Sequence, residues 1–143
     1  ADEDNHLQVI GIAVGNNPKI GRENAMMNGI SNYAARAKAQ VIGKLKSIMS
    51  SEASGVSEEE IDKFGAAYEI SVNQRLSGLV KHHFVLVRDN GGKKEFQSFM
   101  SLDESLAKKA REDAARDAKK KASLGDLSTQ VEEFIGEPVE PEE

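Results

Sequence analysis

A single apolar stripe at helical spacing runs through residues 21–51 and constrains the fold more than any other feature of this 143-residue chain. Residues three or four apart share one face of an α-helix, so the stripe predicts one long helix with one buried face. Gly29 and Gly43 lie inside it, and each costs about 1 kcal/mol relative to Ala in a helix interior. We therefore expect a kink or close packing at either glycine. The stripe consists of Met26, Ile30, Tyr33, Ala37, Val41, Leu45 and Ile48.

A β-strand is predicted before this helix, over residues 7–15. The segment LQVIGIAVG is apolar and rich in β-branched residues, which favours a strand. One of its faces is formed by small residues, which lets a helix approach the sheet closely. That face carries Val9, Gly11, Ala13 and Gly15, and the opposite face carries Gln8, Ile10, Ile12 and Val14.

A second helix is predicted to begin at a capping box. Glu60 follows Ser57 by three residues, so the Ser57 side chain should accept from the Glu60 N–H while the Glu60 carboxylate reaches back to the Ser57 N–H. Gly78 is typical of a C-terminal stop. The apolar positions of this helix are Ile61, Phe64, Tyr68, Val72, Leu76 and Leu79.

A β-hairpin is predicted over residues 81–100. Asn90 and Gly91 tolerate the positive φ angles of a type I′ turn between a strand at 82–88 and a strand at 93–100. That turn places Val85 opposite Phe96 on one face of the hairpin.

The opposite face of the hairpin is also apolar, and it is our candidate interaction surface. It holds Phe84, Leu86 and Phe99. A sheet with apolar residues on both faces needs helices on both sides, or a partner on one.

The C-terminal third is predicted to be helical. Ser101 and Glu104 form a second capping box that opens a helix over about 102–122. Past Leu106 its apolar side contains only alanines, so we expect the far end to lie on the surface, to project, or to pack against another chain. A last short helix is predicted from Leu127, Val131, Phe134 and Ile135.

The fold class that follows is α+β, with two layers and the element order β-α-α-β-β-α. A three-stranded, mostly antiparallel sheet (about 7–15, 79–89 and 93–100) packs on two or three helices, and the helix from Leu102 flanks the sheet or projects from it. The organisation is an acidic tail at 1–6, one domain at 7–125 and an acidic segment at 126–143, disordered after about 136.

No catalytic, cofactor-binding or metal-binding residue can be assigned. The chain has no Cys, which excludes disulfides, thiolate nucleophiles and cysteine-based zinc sites. Gly11, Gly15 and Gly21 do not have the G-x-G-x-x-G spacing of a dinucleotide site. His82 and His83 are adjacent on a strand, so their side chains should point to opposite faces. An enzyme would need His83, Asp89 and a Ser in one cleft.

Charge is segregated along the chain. Residues 5–125 carry a net charge of +5, while residues 1–4 carry −3 and residues 126–143 carry −7. A mildly basic body can attract anions, but it lacks the interleaved aromatic residues that nucleic-acid recognition uses, so no nucleic-acid partner is expected. The chain begins without a signal segment, so we expect a mature or trimmed product.

Four segments together resemble the twenty-kilodalton membrane-associated lipoprotein family, the "Lpp-twenty" type, and its bacterial envelope relatives. They are VIGIAVG at 9–15, ARAKA at 35–39, NQRLSG at 73–78 and FVLV at 84–87, and the resemblance spans residues 7–120. Known members are non-enzymatic envelope proteins tethered to the outer membrane by a lipidated N-terminal Cys. One branch contributes to a disk around the flagellar motor. No functional site residue carries over, and the anchoring Cys is absent from this chain.

The expected function is therefore a non-enzymatic cell-envelope protein on the periplasmic side, acting by self-association or by scaffolding other envelope proteins. No cofactor is expected, and membrane contact is expected only through a lipid anchor that this chain does not contain. The alternative is a periplasmic module that binds a small ligand or peptide, either between the first strand and first helix or at an exposed sheet edge.

Overall fold

The computed structural model describes residues 6–51 and 55–140. Three strands and four helices occur in these ranges, in the order β-α-α-β-β-α-α, with a short 3-10 turn before the last helix. They are β1 (His6–Gly15), α1 (Pro18–Ser51), α2 (Glu58–Leu76), β2 (Lys81–Asn90), β3 (Lys93–Asp103), α3 (Glu104–Lys119) and α4 (Ser128–Gly136).

The three strands form one antiparallel sheet in the order β1-β3-β2. The predicted α+β class and element order are therefore confirmed. His6 already belongs to β1, where the sequence suggested an acidic tail, and residues 1–5 of that tail lie outside the described residues. The expectation that the sheet packs on all the helices of residues 20–77 needs refinement. Only α1 packs along β1 and β3, and α2 packs against α1 and α3.

Two glycines explain how closely α1 approaches β1. A Cβ added to Gly11 would lie 1.8 Å from the Ala25 carbonyl oxygen, and one added to Gly29 would lie 2.8 Å from Met100 Cε. The small-residue face of β1 thus lets two backbones meet, as predicted. Gly43 differs, because a Cβ there would meet nothing within 4 Å.

The turn of the hairpin is one residue later than predicted. Asn90 pairs with Lys93, so the turn residues are Gly91 and Gly92, with φ angles of 57° and 89°. A pair of glycines, like Asn-Gly, adopts the two positive φ angles of a type I′ turn without strain. The prediction that Val85 lies opposite Phe96 is wrong for this reason, since Phe96 lies opposite Val87. The register differs by two residues, so every side chain keeps its predicted face.

The two predicted capping boxes have different outcomes. Ser57 caps α2 as expected, accepting from the Glu60 N–H at 3.3 Å. The Glu60 carboxylate instead accepts from the Ser123 N–H at 2.8 Å, which joins the start of α2 to the chain after α3. Ser101 caps nothing, because β3 continues to Asp103, whose carboxylate caps α3.

Alanines line a buried face of α3, contrary to the expectation that this helix projects or meets another chain. Ala107, Ala110, Ala114 and Ala118 are all buried. Their small side chains let α2 and α4 pack against α3 within the same molecule. A thin apolar stripe therefore marked close helix packing rather than an exposed face.

The chain beyond α4, for which composition predicts disorder after about 136, contacts α1 as far as Glu140. Pro138 accepts a hydrogen bond from the Gln40 side chain, and the same amide accepts from the Glu140 N–H. Val139 is only 6% exposed, and Lys44 forms an ion pair with Glu137. One buried apolar residue and three polar contacts thus fix this acidic segment on α1. Residues 141–143 lie outside the described residues.

Arg111 is the central polar residue of the core, with 1% of its surface exposed. It donates to Tyr33 Oη at 2.8 Å, to both carboxylate oxygens of Glu104, and to the carbonyl oxygens of Ile135 and Glu137. Burial disfavours its charge, but the Glu104 and Tyr33 interactions outweigh that penalty and raise the pKa of Arg111. Arg111 therefore connects α1, α3 and the end of α4.

Candidate interaction surface

Within the part of the chain that the structure describes, the four helices leave one face of the sheet uncovered. We call this side the outer face. On β2 and β3 the three residues predicted as an interaction surface lie there together. The rings of Phe84 and Phe99 stack with centroids 4.6 Å apart, and Leu86 follows Phe84 on the same face of β2. Phe84 is 55% exposed and Leu86 53% exposed. The structure thus brings these residues into one patch.

Residues of β1 enlarge this patch, which the sequence analysis did not recognise. Ile10 lies opposite Phe99 on the central strand, and Ile12 and Val14 follow on the same face with about half of each side chain exposed. Alternation along β1 already separated these residues from the small ones. Only the β1-β3-β2 order places them beside the hairpin.

β2 is exposed on both of its faces. Of its ten residues, only Val85 is even partly buried. Val87, on the helix side of the sheet, is still 42% exposed, because α1 packs along β1 and β3 and no described helix packs along β2. A strand of this kind presents apolar side chains and a free row of backbone groups to its surroundings.

The two free edges of the sheet differ. At the β1 edge, the Ile12 N–H donates to the Asn28 side chain of α1 at 2.9 Å. A groove of about 520 Å³ runs between this edge and α1, lined by Ile10, Tyr33 and Arg36 among others. The β2 edge has no such side chain from a helix among the described residues.

A β-bulge at the start of β2 determines where His83 points. The register shifts between His82 and Phe84, and His83 Nε2 lies 2.8 Å from Ser101 Oγ. Bulges re-aim single side chains in this way. Together with His6 and Phe99 these residues line a hollow of about 240 Å³ at one end of the outer face.

This histidine–serine contact lacks the third member of a hydrolytic triad. Among the described residues, His83 hydrogen-bonds to Ser101 and to no carboxylate, and Asp89 pairs with Lys94 at the opposite end of the hairpin. A histidine that no carboxylate orients is a weak general base towards a serine hydroxyl. Within residues 6–51 and 55–140, no group of three or more His, Asp or Glu side chains is placed to hold a metal ion.

A concavity of about 650 Å³ lies elsewhere, between α2 and α3. It is lined by Ala66, Ala67 and Ile70, by Lys63 and Lys120, and by Ser71 and Asp117, which are hydrogen-bonded to each other.

Comparison with known proteins adds no family to these observations. The chain matches no family model, no curated protein and no solved structure. None of the described helices combines the length and apolar character needed to cross a membrane.

Proposed function

We propose that this protein is a non-enzymatic component of the bacterial cell envelope, on the periplasmic side, that works by self-association or by scaffolding a larger assembly. One observation carries the proposal: the outer face of the sheet, with Phe84, Leu86 and Phe99 at its centre, is apolar and uncovered. Contiguous exposed apolar patches on folded proteins mark interaction sites. The buried alanine face of α3 lends no support, because that helix is covered within the chain.

The envelope location rests on the resemblance of four segments to the Lpp-twenty type and on nothing else. Fractionation of the native cells, with the protein detected by antibody, tests it. Recovery with the envelope or periplasmic fraction is expected, and recovery with the cytosol would overturn this part of the proposal.

Self-association is tested with one matched pair of charge substitutions. Leu86→Lys places an ammonium group in the patch, whereas Ile70→Lys places one on α2, in the concavity between α2 and α3 and away from the sheet, at a position that is 60% exposed. We expect light scattering at micromolar concentration to show an assembly for the unchanged chain and for Ile70→Lys, and its loss for Leu86→Lys. An unchanged chain that stays monomeric would contradict the proposal.

A second candidate function is favoured by the groove between β1 and α1, where sequence reasoning placed the alternative binding site. Two of its polar side chains, Asn28 and Asn32, stand one turn apart on α1 and are hydrogen-bonded to each other at 3.3 Å. Binding of anilinonaphthalene sulfonate, an anionic dye whose aromatic rings bind apolar surfaces, to the groove should be lost in Asn32→Trp, which fills the groove. Dye binding lost only in Leu86→Lys would instead assign it to the outer face.

A further inference from the structure

We infer that two copies of this chain associate by antiparallel pairing of their β2 edges about a two-fold axis at Val85, which makes one continuous six-stranded sheet. The inference rests on the proposed self-association and specifies its geometry. Three observations carry it: the direction of the backbone groups of β2, the distribution of its side chains, and the contrast with the β1 edge.

The hairpin register determines which backbone groups of β2 are free. Asn90 and Lys93 flank a two-residue turn, so they form a hydrogen-bonded pair. In an antiparallel pair such residues alternate with residues whose N–H and C=O point away from the partner. The N–H and C=O groups of Val85 and Val87 therefore point away from β3, towards the free edge.

The opposite side of the sheet supports this alternation. Leu86 pairs with Gln97, four residues from the hydrogen-bonded Asn90–Lys93 pair on each strand. By the same alternation, Leu86 and Gln97 are also a hydrogen-bonded pair, so the N–H and C=O of Gln97 point towards β2. Ile12 lies opposite Gln97 on β1, so its N–H must point away from β3. It does, because the Ile12 N–H donates to the Asn28 side chain.

A two-fold axis at Val85 places apolar residues opposite apolar residues at the centre of the interface. Val85 then lies opposite the same residue of the second copy, with both sets of its backbone groups available for pairing. Phe84 lies opposite the second copy's Leu86 on the outer face, so two Phe84–Leu86 pairs extend the Phe84–Phe99 stack. An axis at Val87 would instead place Leu86 opposite Arg88.

Charge favours the same arrangement. β2 begins with Lys81 and carries Asp89 near its other end. Antiparallel pairing brings the Lys81 end of one copy beside the Asp89 end of the other, at both ends of the interface. Arg88 is already paired with Glu95 across the hairpin at 2.8 Å, so it adds little repulsion.

Edge strands usually carry a device that prevents such pairing: a charge, a proline, a bulge or a covering element. At the β1 edge, the Ile12 N–H is already bonded to the Asn28 side chain of α1. β2 has a bulge only at its start, at His82–Phe84, and the run from Phe84 to Val87 contains no charge and no proline. The bulge limits pairing at the start of β2, and the backbone groups around Val85 remain available to a second copy.

Single-cysteine variants of the full chain test the register, because the chain has no Cys of its own. In the inferred dimer the two Val85 Cα atoms lie about 5.5 Å apart, within the range that a disulfide spans. The two Val87 Cα atoms would be about 14 Å apart, at about 3.4 Å per residue along the strand. Ile12 would be remote from its copy. Val85→Cys should therefore cross-link rapidly on mild oxidation, while Val87→Cys and Ile12→Cys react only as slowly as the surface control Ile70→Cys.

Each other outcome overturns the inference in a recognisable way. Rapid cross-linking of Val87→Cys alone means a different register. Rapid cross-linking of Ile12→Cys means that outer faces stack, which overturns edge pairing but leaves self-association intact. No cross-linking above the control, with an unchanged chain that sediments as an oligomer, also overturns edge pairing alone. No cross-linking with a chain that sediments as a monomer overturns both proposals.

Val85→Pro provides a second measurement. It removes an N–H that points away from β3, so the hairpin bonds remain and an edge position tolerates the ring. Two backbone hydrogen bonds are lost per dimer, which should raise the dimer dissociation constant about tenfold or more. An unaltered dissociation constant in a variant with an unaltered circular dichroism spectrum would contradict edge pairing.

Discussion

Adding one methyl group at Gly11 is expected to destabilise the fold strongly. The new Cβ would lie 1.8 Å from the Ala25 carbonyl oxygen and 2.4 Å from the Gly29 nitrogen. Both atoms belong to the α1 backbone, so neither can rotate away as a side chain would, and the whole helix must move off the sheet. Overpacking of this kind costs about 1–3 kcal/mol and occasionally more. Ala also restricts the unfolded chain more than Gly does, which offsets about 0.4–1 kcal/mol of this cost.

Because the clash is with backbone atoms, we take the upper end of the overpacking cost, about 3 kcal/mol. After the offset from the unfolded chain, the net expectation for Gly11→Ala is a loss of about 2–2.6 kcal/mol in the free energy of unfolding. In a chain of this size that corresponds to a Tm lower by about 4–10 °C. Gly43→Ala is the matched control, because it is the same substitution inside α1 with nothing within 4 Å of the new atom. It should stabilise by up to about 1 kcal/mol. Urea unfolding of the two variants measures both values. Equal effects, or a Gly11→Ala variant as stable as the unchanged chain, would refute the close approach of α1 to β1.

Three further predictions concern the polar contacts. Arg111→Met should lower the free energy of unfolding by about 3–5 kcal/mol, since it leaves buried acceptors without a donor. Arg116 is exposed and forms an ion pair within α3, so Arg116→Ala should change the free energy of unfolding by less than about 0.5 kcal/mol. Urea unfolding measures both free energies, and equal losses in the two variants would contradict the prediction. Tyr33→Phe removes a bond to the buried arginine and should cost about 1 kcal/mol. Tyr68→Phe should cost less, because the buried Tyr68 hydroxyl has no partner among the described residues; the reverse order of Tm values would contradict this. The hydrogen bond from Arg75 lowers the pKa of Asp117. The contribution of this bond to folding stability is therefore present above the unfolded pKa of about 4, and it is lost as pH falls through the pKa of Asp117 in the folded protein. Asp117→Asn should therefore show a smaller loss of Tm than the unchanged chain between about pH 5 and pH 2, and identical pH profiles would count against that bond.

Local patterns predicted most of the fold. The stripe from Met26 to Ile48 located α1, and the small face of β1 predicted the close contact at Gly11 and Gly29. These features depend on residues that are near one another in the chain, so spacing and side-chain size are sufficient to find them.

Errors arose where two local signals competed or where a distant partner decided the outcome. Asn90-Gly91 and Gly91-Gly92 are both good turn sequences, and the pairing of β3 selected the second. Similarly, β1 extended the ladder on β3 as far as Asp103, which removed Ser101 from its predicted cap.

The interaction surface was only partly predictable for a related reason. Phe84, Leu86 and Phe99 lie within one hairpin, so alternation placed them on one face. Ile12 and Val14 join them only because β1 pairs with β3 rather than with β2, and strand order is a long-range property. The Arg111 network was also missed, because its partners lie 7 to 78 residues away in the chain.

Sedimentation equilibrium of the unchanged chain tests most directly whether its exposed sheet binds a second copy of the chain. The experiment should cover about 1–100 μM, the range in which weak and moderate self-association is resolved. We predict a weight-average mass that rises with concentration from the 15.5 kDa of one chain towards twice that value or beyond. A mass that stays at 15.5 kDa throughout would contradict the central claim.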